Sequence, residues 1–184
     1  MFMVNLLNLN DKLDEDFLLK NKIFLYGPID DKKSNDIIKK LIFLSERGVN
    51  EIYIYLNSPG GSITSGLEIF DTIKILKNPI YIIVTGLAAS MGAIILNAVK
   101  KGRRFLYKNA KVLIHQPLLG GSLTIPATDM SIQADEIVKV RQNLNKILAE
   151  STGKTVYDIE KDSDRDKIFS AEEAIEYGLA DYII

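Results

Sequence analysis

The 184 residues contain a single imidazole, His115, and no cysteine. Any histidine-dependent reaction must therefore use His115, while thiolate nucleophiles, thiolate metal sites and a multi-histidine metal centre within one chain are excluded. Oxygen nucleophiles remain. A serine hydroxyl attacks only when a neighbouring base takes its proton and nearby donors stabilise the oxyanion that forms. Ser90, in Gly86-Leu-Ala-Ala-Ser-Met-Gly92, stands where a strand is expected to turn into a helix. There its hydroxyl can project beside the free N–H groups of the first helical turn, and Ala88, Ala89 and Gly92 leave space for a peptide. The competing reading makes Ser90 a plain helix cap, since serine is favoured there.

His115 has an equally plain alternative, a strand histidine bonded to a carbonyl. Its place just before Gln116-Pro117 ends the strand and leaves the imidazole at the strand's carboxyl end. Asn57-Ser-Pro-Gly-Gly-Ser62 is a glycine turn opening a helix, a geometry that aims backbone N–H groups at negative charge. It lacks the lysine of a P-loop and the spacing of a dinucleotide fingerprint, which favours an oxyanion hole over a phosphate site. Asp162-Ser-Asp-Arg-Asp166 is an acidic cluster that a solvated turn would also explain, and spacing does not choose which aspartate reaches His115.

Elements must hold these loops in place. Apolar periodicity predicts a helix over 34–47, capped by Ser34 and stopped by Gly48, then a strand over 52–56 and a second helix over 63–76. Residues 80–84 read as a buried parallel strand and 86–92 as a turn of small residues entering a buried helix at 93–96. A strand over 111–115 follows, then a long helix over 130–150 ending near Gly153. Ser170-Ala-Glu-Glu173 is a capping box for a short helix that stops at Gly178, before a closing strand at 182–184. Alternating strands and helices predict one α/β domain over residues 1–184 with mainly parallel strands and reactive loops at their carboxyl ends.

Lysine plus arginine number 23 and aspartate plus glutamate 24, a balance that gives no reason to expect nucleic acid or an anionic membrane as partner. The opening residues lack a basic n-region, and no apolar run approaches a bilayer span. A soluble, cytoplasmic protein acting on protein or a small molecule is expected.

Taken in order, Asn57-Ser-Pro-Gly-Gly-Ser62, Gly86-Leu-Ala-Ala-Ser-Met-Gly92, Ile114-His-Gln-Pro117, Asp164-Arg-Asp166 and Ser170-Ala-Glu-Glu-Ala174 resemble the proteolytic subunit of the Clp protease, the ClpP family, from about Lys22 to the C-terminus. The resemblance implies a serine endopeptidase with Ser90 as nucleophile, His115 as base, Asp166 as orienting acid, and the backbone amides of Gly61 and Met91 as oxyanion hole. It implies a crotonase-like α/β spiral with a projecting handle at about 118–150. It further implies two stacked seven-membered rings joined partly through Asp164 and Arg165. Unfolded protein would be fed in by a ring-shaped AAA+ ATPase docking at Tyr53, Tyr55 and Ile75. No cofactor or metal is implied for the peptidase, because ATP is consumed by the partner.

The sequence departs from the family pattern before Lys22, where the family carries a longer axial segment. It departs again in 118–127, about two residues longer than usual, with Ile125-Pro126 where Gly-Gln is common. Pro126 cannot donate a backbone hydrogen bond to a paired strand. Two alternatives follow: a mainly structural ring subunit that needs a paralogous partner for activity, and a crotonase-type acyl-CoA enzyme sharing the spiral.

Overall fold

A computed structural model describes the backbone of residues 6–117 and 127–184. The lengthened loop with Pro126 lies outside the described residues. The elements run α1 (Leu6–Leu19), β1 (Lys22–Tyr26), α2 (Asp31–Glu46), β2 (Ile52–Ser58), α3 (Ile63–Ile75), β3 (Ile80–Ala89) and α4 (Met91–Leu96). Then come β4 (Arg104–Leu106), β5 (Lys111–Ile114), α5 (Ala127–Thr152), α6 (Val156–Asp162), β6 (Lys167–Phe169), α7 (Ala171–Tyr177) and β7 (Tyr182–Ile183).

The sheet order is β1-β2-β3-β4-β7, all parallel, with β5 added to β3 and β6 antiparallel to β5. This is the mixed α/β, mostly parallel fold that the sequence predicts. Strand β3 is long enough to serve two neighbours: its first half pairs with β4 (Ile82↔Arg104) and its second half with β5 (Leu87↔Lys111). That division leaves the carboxyl half of β3 between β2 and β5, with β6 on the far side of β5.

One face of the sheet is dry. Ile23, Leu25, Ile54, Leu56, Ile82 and Val84 alternate along β1 to β3 and pack against Ile37, Leu41 and Leu44 of α2 and Ile69 and Ile73 of α3, the period-two and 3.6 patterns meeting as they must to exclude water. The opposite face carries an aromatic ladder, Tyr53 on Tyr81 at 5.3 Å and Phe105 on Tyr182 at 5.3 Å between ring centres, with Tyr55 stacked on Phe24 at 5.1 Å.

Two sequence expectations need correction. Ser34 does not cap α2; the Asp30 carboxylate accepts from the Lys33 amide at 2.7 Å, while buried Ser34 donates to Glu68 at 2.8 Å. The 86–92 segment is not a turn throughout, because β3 continues to Ala89 and bends only at Ser90. Gly86 is kept in the strand by close packing, since a Cβ there would lie 2.8 Å from Asn57 Oδ1.

Candidate active site

Ser90 joins β3 to α4 with φ 55° and ψ −120°, a conformation that costs a non-glycine residue on the order of 1–3 kcal/mol. Its backbone is held from both sides: Ser90 N donates to Leu113 O of β5 at 2.9 Å, and Ser90 O accepts from Ala93 N at 2.9 Å. Its side chain makes no capping hydrogen bond. The helix-cap reading therefore does not describe Ser90; the strain presents a hydroxyl that the helix leaves unused.

The glycine turn is pressed against this elbow. A Cβ on Gly60 would lie 2.7 Å from both Ala89 O and Ser90 Cβ, and 3.1 Å from Met91 N, so the approach requires glycine. Gly60 O accepts from Ile29 N at 2.9 Å and Ser62 N donates to Ile29 O at 2.8 Å. Within one trans peptide the carbonyl and the N–H point opposite ways, so the Gly61 N–H faces away from Ile29. Met91 N is the first amide of α4 and has no preceding turn to accept it. Gly61 and Met91 share the lining of one cavity with Ser90 and His115, a space of about 190 Å³.

His115 follows β5, and β5 pairs with β6 in the register Val112↔Phe169, Leu113↔Ile168, Ile114↔Lys167. Extended one step beyond its last pair, that register would set Asp166 opposite His115. The loop before Asp166 is fixed: Gln116 N donates to Ser163 O at 2.7 Å and Gln116 Nε2 to Asp164 O at 2.8 Å. Asp162 is engaged elsewhere, accepting from Tyr177 Oη at 2.7 Å and pairing with Lys167 Nζ at 2.7 Å. Burial would raise the Asp162 carboxyl, but hydrogen bonds from Lys167 and Tyr177 outweigh it and hold the group below the usual carboxylate range. Burial, then the Asp162 hydrogen bond and charge, push the Tyr177 hydroxyl up.

The β5–β6 ladder thus ends one residue short of each, and no hydrogen bond joins the His115 and Asp166 side chains among the described residues. Asp166 is exposed, and His115 Nδ1 is buried with no hydrogen-bond partner among the described residues. Ser90, His115, Gly61 and Met91 come together; the Asp166 carboxylate does not line their cavity.

Asp164 and Arg165 lie on the same loop, strongly exposed, their charges 3.9 Å apart. Tyr53 lines a hollow on the aromatic face with Glu51, Tyr81, Ile83, Phe105 and Ile184, without Tyr55 or Ile75. The Tyr53 hydroxyl donates to Glu51 at 2.5 Å, and that hydrogen bond, helped by burial, pushes its pKa up to about 12. Ile75 is 79% exposed at the end of α3. The rest of the Ser90 cavity escaped the sequence reading. Leu144, Asn145 and Leu148 of α5 wall it, and the available signal was a polar residue interrupting an apolar helical stripe.

Among the described residues no group of acidic or histidine side chains is arranged to hold a metal, and no helix is long and apolar enough to cross a membrane. A strained serine at a strand-to-helix elbow, with an imidazole and two outward amides around one cavity, is the constellation of a hydrolase that attacks acyl carbonyls. The family model for Clp protease matches residues 9–184, beginning ahead of Lys22. The chain belongs to the Clp protease family and is a serine-type peptidase.

Proposed function

We propose that the chain is the proteolytic subunit of an ATP-dependent Clp protease, cleaving unfolded protein delivered by an AAA+ ATPase into a chamber of two stacked heptameric rings. The observation that carries the catalytic part is Ser90, strained, uncapped and sharing one cavity with His115, Gly61 and Met91. In this reading Ser90 Oγ attacks the scissile carbonyl while His115 Nε2 takes its proton. The Gly61 and Met91 amides receive the oxyanion, and Asp166 holds the imidazolium from Nδ1. His115 returns the proton to the leaving amine, and a water then releases the acyl group by the same route in reverse. A fluorophosphonate should label Ser90, with labelling lost in Ser90→Ala and strongly reduced in His115→Ala. Correctly assembled wild-type protein that stays unlabelled overturns the assignment.

One observation favours a second reading, a ring subunit that needs a paralogous partner: His115 Nδ1 lacks an acceptor and Asp166 points to solvent. Under that reading the purified chain assembles but leaves short fluorogenic peptides intact until the paralogue is added. Cleavage by the homogeneous assembly excludes it.

A further inference from the structure

Two hollows meet where α3 ends and the chain passes from α4 to β4. One, of about 310 Å³, carries the charged side chains Lys74, Lys100, Lys101, Arg104 and Glu150. The other, of about 390 Å³, carries Lys74, Lys77, Lys100 and Arg103. They share Lys74, Val99 and Lys100 and so form one groove. Arg104 is neutralised by Asp181, which leaves five cations against a single carboxylate. Elsewhere charges are paired, as at Lys40–Asp36, Arg141–Glu160 and Lys167–Asp162. None of these five makes an ion pair among the described residues. Two are steadied by rings: Lys74 Nζ lies 5.4 Å from the centre of Phe70, and Arg103 Cζ 5.6 Å from that of Tyr81. Lys74, in the last turn of α3, suits that helix's dipole, but Lys100, Lys101 and Arg103 reach the same place from the α4–β4 loop.

We propose that this groove binds the phosphate chain of an oligophosphate, inorganic or the tail of a nucleotide, recognised through its phosphates alone. Ile73, Leu76, Ala98 and Val99 give the groove an apolar wall, against which a surplus of positive charge attracts an anion more strongly than it would in open water. Ammonium groups act as point donors that suit phosphate oxygens. The joined hollows favour a chain of phosphates over a single one, because the shared Lys74 and Lys100 can bridge anions on either side. An extended acidic peptide turns alternate carboxylates to opposite sides and would present only half of its charge.

The test combines lysine acylation, read by mass spectrometry on the assembled protein at low salt, with calorimetric titration of tripolyphosphate, ATP, orthophosphate and a hexaglutamate peptide. Tripolyphosphate should protect Lys74, Lys77, Lys100 and Lys101 and leave Lys39 and Lys161, which line neither hollow, unprotected. It should bind at least as tightly as ATP, about tenfold or more tighter than orthophosphate or the peptide, and more weakly as salt rises. Lys74→Gln combined with Lys100→Gln should weaken it about tenfold or more at an unchanged melting temperature, since both side chains are exposed. If that variant does not assemble, the wild-type protection pattern decides. ATP bound about tenfold tighter than tripolyphosphate overturns recognition by phosphates alone, and a peptide bound equally well overturns the choice of phosphate. Lysines that tripolyphosphate leaves unprotected, or that a neighbouring copy already shields in the free assembly, overturn the site itself. None of these outcomes touches the assignment of Ser90.

Discussion

The strain at Ser90 persists because its neighbours leave it no other conformation, and Gly60 is the tightest of them. Adding one methyl there would place carbon 2.7 Å from Ala89 O and from Ser90 Cβ, on a residue whose φ is 92°. Gly60→Ala should therefore shift the elbow against Gly61 and slow both fluorophosphonate labelling and peptide turnover by about a hundredfold or more, the scale of a lost oxyanion donor. Unchanged labelling would show that the elbow tolerates the shift. The aspartates of the acidic loop should separate by a different criterion. Asp166 is exposed and engaged by no pairing in the described structure, so Asp166→Asn should leave the melting temperature within a degree or two, as surface changes usually do. Turnover should drop by about 10²- to 10⁴-fold if this carboxylate orients the imidazole. Asp162→Asn should behave oppositely, weakening the Tyr177 and Lys167 contacts and costing about 1 kcal/mol of stability. Because the Asp162 pKa is depressed in the fold, that contribution is present above the unfolded value near about 3.9 and disappears as pH falls through the lower folded value. Thermal melts of wild type and Asp162→Asn should thus converge in acid, and a constant gap down to the lowest pH would count against the assigned pairing.

At the scale of elements, the parts legible in the sequence are those whose pattern is local. Strand β2 and helix α3 declare themselves by periodicity, and α7 by its capping box and by Gly178 at φ 95°. Strands β4 and β6 have three residues each, too few for an alternation to be read. Their place is set by partners far along the chain, and so the position of Asp166, which depends on the β5–β6 register, was legible only through family likeness. The arginine that binds β4 to β7 was invisible for the same reason. Arg104, 1% exposed, meets Asp181 with Nε to Oδ2 at 3.0 Å and Nη2 to Oδ1 at 2.6 Å. Its Nη1 donates to Asn97 Oδ1 and Gly178 O, and the amides of Gly102 and Arg104 donate to Asp181. Burial alone would raise the Asp181 carboxyl; the hydrogen bonds and charge of Arg104 outweigh it and hold it below the usual range. Removing one member strands the other in the interior, which costs about 3–5 kcal/mol. Asp181→Asn should therefore lower the melting temperature by about 10 °C in a domain of this size. A depressed carboxyl stabilises above its unfolded pKa and ceases to do so as pH falls through its folded one, so the loss should shrink in acid. A melting temperature within 2 °C of wild type at neutral pH would mean that the pair contributes little.

The whole molecule carries an incompleteness that the single chain does not resolve: Ser90, His115, Gly61 and Met91 line one cavity while Asp166, just before the last β5–β6 pair, is exposed. The loop bearing it is anchored at Asp162, Ser163 and Asp164, leaving Arg165 and Asp166 as its free segment. Arg165 and Asp164 are 94% and 68% exposed, and charges so placed contribute almost nothing within one subunit. If rings stack against this loop, a contact to Arg165 would turn the adjoining Asp166 inward, so that assembly and catalysis depend on the same few residues. In the proposed assembly of two stacked heptamers, fourteen copies of a 20.6 kDa chain would give a closed particle of about 290 kDa. Arg165→Ala should shift the native mass from that value toward half of it and reduce peptide cleavage by about tenfold or more, with the melting behaviour of the subunit retained because the side chain packs on nothing within it. A half-size particle that cleaves as fast as the full one would separate ring stacking from the alignment of Asp166, and an undiminished full-size particle would remove Arg165 from the contact altogether.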